Sequence, residues 1–250
     1  MNYLIPIPYT YTITALNIIG ILLINKATKS KDWKTKPYIS ALIFSFTLGL
    51  AQIYDLENAG NVPAWIFPKE AVLNIYPLSN VALEDIFFII GCFNVFYWFL
   101  FATRGMVDYF RRFKKQNVVV LVLATFCVLE AMVYQWGGVG AQRLIIGYTV
   151  FPTIAYLLAK STIPKFMKAE INITHALTVL VFVVLFSSIW ELLNAVLRHW
   201  IYNKECNLYS KEGWFLGGKL HISIFFQYAW SGFLVMYFTW MFFRPKAPTK

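Results

Sequence analysis

Apolar residues fall in long runs separated by short polar, lysine-rich stretches, a pattern that predicts membrane spans rather than amphipathic helices or alternating strands. A span needs roughly 20 apolar residues to cross about 30 Å of hydrocarbon. Seven runs approach that length: Thr10–Ile24, Pro37–Ile53, Ala82–Ala102, Asn117–Val133, Leu144–Ala159, Ala176–Leu197 and Leu220–Phe243. The first is short and the fifth carries Pro152. The expected class is all-α, a polytopic membrane protein of about seven transmembrane helices.

The polar stretches set an expected orientation. Lys26, Lys29, Lys31, Lys34 and Lys36 follow the first run, and Arg104, Arg111, Arg112, Lys114 and Lys115 follow the third. Lys160, Lys165 and Lys168 follow the fifth, and Arg244, Lys246 and Lys250 lie in the tail. These segments hold sixteen of the 22 basic residues, while the segments of the other parity hold Lys69, Arg143, Arg198, Lys204, Lys211 and Lys219. Short loops rich in Lys and Arg stay cytoplasmic, so the amino terminus is expected outside and the carboxyl terminus inside. Two outer loops are long, Asp55–Val81 and Arg198–Lys219, and their aromatic and turn residues suggest interfacial or re-entrant caps over the outer end of the bundle.

The two halves carry the same marks in the same order. Ile53-Tyr54-Asp55-Leu56-Glu57-Asn58 precedes Trp65-Ile66-Phe67, and Ile189-Trp190-Glu191-Leu192-Leu193-Asn194 precedes Trp200-Ile201-Tyr202. Each set leads to a run with a Phe pair near its start, Phe87-Phe88 and Phe225-Phe226. This predicts two related three-helix units, residues 1–116 and 141–250. A connecting helix in 117–140 keeps them parallel, as an odd connector must.

Composition agrees. The chain is 59% hydrophobic and only 14% charged, against about 45–50% and 25% in soluble domains. Aromatics reach 19%, which suits either interfacial belts or a cation-stabilising pocket. The net charge of +10 is distributed as topology requires and leaves no basic face for a nucleic acid. Cys92, Cys127 and Cys206 show no ligand spacing, so neither a metal site nor a disulfide framework is expected. The first nine residues lack a basic start and a small-residue cleavage pattern, so no cleaved signal peptide is expected.

Ionisable groups at membrane depth are costly and mark function by default. Asp55, Glu84, Asp85, Glu130 and Glu191 are the acids near the spans, and the expected topology brings them all to the outer third of the bundle, with His199 and His221 at the outer ends of spans six and seven. For Glu84 and Asp85 the plain alternative is capping of their own helix. For Asp55 it is a helix end at the headgroups, and for Glu130 a bond to a neighbouring helix. Glu191 has a full turn of apolar neighbours beneath it, which favours a paired or functional role.

Carboxyl groups crowded in a dry, aromatic-lined pocket can keep a proton at neutral pH. A neutral carboxyl can protonate an alkene, aromatic faces stabilise the resulting cation, and an ionised carboxylate can remove a proton afterwards. Such a site performs acid-initiated cyclisation of an isoprenoid and needs no cofactor.

The arrangement of spans and these motifs resemble the membrane-integral lycopene cyclases, the heterodimeric bacterial type and its fused archaeal, bacterial and fungal relatives. In that family each unit carries a Trp-Asp near the end of its second helix, a Trp-aromatic-aromatic segment in the loop, and a Pro-x-Glu-Glu or Pro-x-Glu-Asp motif before paired Phe. Here the first unit offers Tyr54-Asp55, Trp65-Ile66-Phe67 and Glu84-Asp85 before Phe87-Phe88, and the second offers Trp190-Glu191 and Trp200-Ile201-Tyr202. The family's Pro is Ala82 here, and the second acidic pair is replaced by Leu220-His221-Ile222-Ser223. A different reaction, or His221 acting in place of the acids, would follow if both pairs are needed.

The resemblance implies Glu84 or Asp85 as proton donor and Asp55 and Glu191 as partner or base. Tyr54, Trp65, Phe87, Phe88, Glu130, Trp190, Trp200 and His221 would surround the substrate. The implied substrate is a carotenoid end group such as that of lycopene, or another prenylated or terpenoid chain. The expected partners are the bilayer and, as an open alternative, a second copy of the chain; nucleic acid is not among them. Two non-catalytic alternatives stand beside this, a lipid or pigment binder and a structural subunit descended from a cyclase. A retinal Schiff base is excluded in this register, because Leu220–Phe243 contains no lysine.

Overall fold

The computed structural model describes residues 8–58, 62–104, 173–206, 209, 211, 213–221, 236, 239 and 240. The predicted fourth and fifth spans, with Glu130, lie outside the described residues, as does most of the seventh. Among the described residues the chain is mostly helical, and four helices are long and apolar enough to cross a membrane. They are α1 (Tyr9–Thr28), α2 (Thr35–Asn58), α3 (Leu83–Thr103) and α4 (Ile173–Leu197).

Helix α3 is the axis of the arrangement, with twelve of its 21 residues buried. Helix α1 lays one stripe against it. Tyr9, Ile13, Leu16, Gly20 and Ala27 are buried, while Ile18, Ile19, Ile21 and Leu22 are exposed. An outward face as apolar as the inward one suits a helix long and apolar enough to cross a membrane. Glycines permit the close approach. A Cβ on Gly91 would stand 2.9 Å from Leu16 Cγ, and one on Gly20 would stand 2.9 Å from Asn94 Cβ. Small residues at such crossings let helix backbones approach where no hydrophobic effect drives association.

Polar residues at depth are bonded across helices. The Tyr38 hydroxyl donates to Asn94 Oδ1 at 2.7 Å, Asn17 donates to the Phe87 carbonyl at 3.0 Å, and Ser45 donates to Thr239 at 3.2 Å. Near the other end of α3, His175 Nε2 and Thr103 Oγ1 are 3.1 Å apart. The turn after α1 closes on the same end. Trp33 packs edge-on to Tyr97 and Phe101, and Asp32 pairs with Arg104 at 2.7 Å.

The two long loops meet each other. Strand β1 (Trp65–Ile66) pairs antiparallel with β2 (Ile201–Tyr202), placing Trp65 opposite Tyr202 and Ile66 opposite Ile201. Asn203 N–H donating to Ala64 O at 2.9 Å extends the ladder. A second ribbon joins β3 (Trp214–Phe215) to β4 (Leu220–His221), and Ala64, Tyr202, Cys206, Tyr209 and Leu220 form a buried cluster at this end of the molecule.

Three boundaries differ from the sequence expectation. Helix α1 runs four residues past Ile24, because Asn25–Thr28 keep helical backbone beyond the apolar run. Helix α2 continues through Asn58, so Asp55 belongs to its last turn rather than to the loop. Leu220 and His221 are strand residues, not the first turn of the seventh span. Gly217 and Gly218, at φ +68° and +80°, turn the chain back onto Trp214–Phe215, a conformation that glycine alone adopts without strain.

Candidate functional site

Glu84 and Asp85 occupy the first turn of α3, where carboxylates ordinarily cap. They do not cap here: the residue before the helix is Ala82, and no side chain bonds the helix start. Both acids are instead buried and reach neighbouring elements. Glu84 Oε1 accepts from the Thr10 hydroxyl and from the Leu73 N–H, both at 2.7 Å. Asp85 Oδ1 accepts from the Tyr9 hydroxyl at 3.2 Å. The pair therefore fastens the beginning of α1 and the 68–75 loop to α3. One oxygen of each, Glu84 Oε2 and Asp85 Oδ2, is enclosed with no hydrogen-bond partner among the described residues.

Sequence reasoning missed a third acid. Glu57, in the last turn of α2, is 2% exposed and faces Asp85 and Trp65. Neither of its oxygens makes a hydrogen bond of good geometry to a described residue. Asp55 and Tyr54, which the sequence favoured, are exposed on the same helix. At 100° per residue, positions 55 and 57 lie about 200° apart, so burial of one turns the other outward. The usable signal was the helix length: had α2 been carried to Asn58, its periodicity would have separated the two acids. Tyr76, from the loop above, lies within electrostatic reach of Glu84, Glu57 and Asp85; burial first, then those carboxyls, raise its phenol above the ordinary value.

Around the three acids stands an aromatic wall. The Tyr9 ring stacks on Phe67, meets Trp200 edge-on at 5.2 Å and lies 5.3 Å from His199. Phe88 stacks on Trp190 at 5.1 Å, and Trp190 stacks in turn on Phe186. The Trp190 indole nitrogen is buried with no partner among the described residues. Phe87 is exposed, on a face of α3 turned about 100° from that of Phe88. His199 is buried and contacts Thr12 Oγ1 through Nε2 at 3.1 Å; burial lowers its pKa to about 4, so the imidazole is neutral.

Glu191 forms a separate centre. It is buried near the end of α4, and the Tyr202 hydroxyl donates to both of its oxygens, at 3.0 and 2.9 Å. Burial and then Glu191 hold the Tyr202 phenol well above its ordinary value, so it remains a donor. Tyr209 lies beside Tyr202, and His221, fully buried, packs between Tyr209 and Trp214. The two centres are joined by contact: Asp85 to Tyr9, Tyr9 to Trp200, Trp200 to Tyr202, Tyr202 to Glu191.

The asparagines shared by the two halves anchor the loops. Asn194 Oδ1 accepts from Trp200 N–H at 3.0 Å as the chain turns at Arg198, which has φ 57°. Asn58 Oδ1 accepts from the Ser79 hydroxyl at 2.9 Å. Both hold a long loop against the end of the helix that carries the acid.

Of the sequence candidates, Glu84, Asp85, Trp65, Phe88, Trp190 and Trp200 are thus brought to one region, with Glu191 and His221 beyond Tyr202, while Asp55, Tyr54 and Phe87 are not. Among the described residues no group of His, Cys, Asp and Glu is arranged to hold a metal. No family model, no curated protein and no solved structure matches the chain, so the assignment of this site rests on its own geometry.

Proposed function

We propose that the protein is a membrane-embedded, redox-neutral cyclase of isoprenoid chains, akin in chemistry to the integral lycopene cyclases. The observation that carries this reading is the buried Glu84–Asp85 pair, each acid with one enclosed oxygen that has no hydrogen-bond partner among the described residues, set against a wall of tyrosine, tryptophan and phenylalanine. Asp85 is the donor of the initiating proton, since its bonded oxygen takes a single hydroxyl while Glu84 is engaged as a latch by Thr10 and Leu73. The faces of Tyr9, Trp65, Trp190 and Trp200 stabilise the cation. Glu191, with Tyr202, is the carboxylate of the second centre.

The same reading takes the chain across the membrane seven times, amino terminus outside, as two related units with the acids at the outer end. Support comes from the distribution of lysine and arginine and from the pairing of β1 with β2. The two strands are the matching Trp-Ile-aromatic segments of the halves, and antiparallel pairing of matching segments is what a two-fold relation between the units generates.

The test is expression in cells that accumulate lycopene, followed by pigment chromatography, for the wild type and Asp85→Asn. Cyclised carotenes from the first and unaltered lycopene from the second are expected. Unchanged pools of lycopene, geranylgeranyl compounds and prenylated quinones with the wild type would overturn the reading. They would favour a non-catalytic membrane subunit instead, for which the observation is His221, packed into the hairpin where the second acidic pair would stand.

A further inference from the structure

We infer that Glu57, rather than Asp55, is the acid of α2 that works with Asp85, the two carboxyls forming one proton-sharing pair. Glu57 is buried to 2% exposure, faces Asp85 and Trp65, and has both oxygens enclosed without a well-formed hydrogen bond among the described residues. Asp85 Oδ2 is enclosed and unbonded in the same way. Two carboxylates cannot both carry charge side by side in an apolar surround, whereas a carboxyl and a carboxylate bridged by one proton can. Among the described residues, the titratable groups facing the pair are Tyr9 from α1, Glu84 from α3 and Tyr76 from the covering loop. Among the described residues neither acid forms an ion pair with lysine or arginine, so no cation offsets a double negative charge.

The pair stands on this geometry alone; its use rests on the cyclase reading. In that use the bridging O–H bond breaks, with its electrons left on the carboxylate. The proton bonds to an alkene carbon through the alkene's π pair. After ring closure a C–H bond beside the cation gives its electrons to a new double bond and its proton to a carboxylate, so the pair is restored and nothing is oxidised.

The infrared spectrum of the purified protein at neutral pH tests the pair without substrate. A protonated-carboxyl carbonyl band that shifts in heavy water is expected in the wild type and in Asp55→Asn. Its intensity should fall in both Glu57→Gln and Asp85→Asn. If Glu57→Gln does not fold, Glu57→Asp, one methylene shorter, should shift the band instead. A band unaltered by the Glu57 substitution overturns the pair. In cells, Glu57→Gln should lower cyclisation at least about 100-fold, and Asp55→Asn should leave it near the wild-type level. An active wild type with an equally active Glu57→Gln overturns the inference and leaves the cyclase reading standing. A wild type that cyclises nothing removes the reading, while the band still decides the pair.

Discussion

The Tyr9 hydroxyl donates to Asp85 Oδ1 at 3.2 Å, joining residues 76 positions apart, while the Tyr9 ring is held by Phe67, His199 and Trp200. The first described turn of the chain is thereby a wall of the acid centre. Tyr9→Phe keeps the ring and removes the hydroxyl that donates to Asp85. A hydrogen bond to an ionisable group contributes about 1.5–3 kcal/mol, so under the proposed cyclase function turnover should slow by roughly 10–100-fold. Turnover in reconstituted vesicles measures this, and an unchanged rate would remove Tyr9 from the site.

His199 gives a pH dependence to stability. Its folded pKa of about 4 lies below the ordinary imidazole value of 6.5, so between those values the unfolded chain binds the proton that the folded chain refuses. Stability is therefore full above about pH 6.5 and falls as pH drops toward 4, by at most about 3 kcal/mol. Unfolding in detergent across this window should show the decline, and His199→Gln should flatten it. A wild-type profile as flat as the variant's would mean that the imidazole titrates normally.

The crossing of α1 and α3 leaves no room at Gly91. A Cβ there would stand 2.9 Å from Leu16 Cγ and 3.2 Å from Asn17 Nδ2. Gly91→Val should push the helices apart and cost about 1–3 kcal/mol, as overpacking does. A lowered unfolding midpoint in detergent is the expected result. A valine variant as stable as the parent would mean that the crossing is looser than described.

The β1–β2 ribbon can be locked. Ile66 and Ile201 are directly paired and both about half exposed, at 52% and 55%. Directly opposed residues place their Cβ atoms about 4.5–5.5 Å apart, close enough for a disulfide after a small adjustment. With Cys92, Cys127 and Cys206 replaced by Ala, Ile66→Cys with Ile201→Cys should crosslink under mild oxidant. In the proposed orientation either single cysteine should react with a membrane-impermeant thiol reagent on intact cells, and Lys29→Cys should not. The opposite labelling pattern would invert the topology.

The helices were legible because apolar runs of span length leave little alternative. Their ends were less so, since nothing in an apolar run marks where the backbone stops being helical once it leaves the hydrocarbon. That error hid Glu57: with α2 ended at Ile53, the nearest acid was Asp55, and only the extra turn decides which of the two faces inward. Glu84, Asp85 and Glu191 stand out in the sequence because an acid beside apolar sequence is costly. Their partners do not, because Thr10, Leu73 and Tyr202 meet them through tertiary contacts. The likeness of Trp65-Ile66 to Ile201-Tyr202 was visible, but that two such short segments hydrogen-bond to each other was not.

The two-residue ribbon also acts as a ruler. Trp65 faces Glu57 only because the chain from Asn58 to Trp65 has the length it has, and in extended backbone a shift of one residue sends a side chain to the opposite face. A single-residue deletion between Asn58 and Trp65 would present Ile66 where the indole now stands, leaving every acid in place but one ring fewer in the wall around them. The length of the loop between α2 and α3 is therefore as much a part of the candidate site as the identity of its carboxyls.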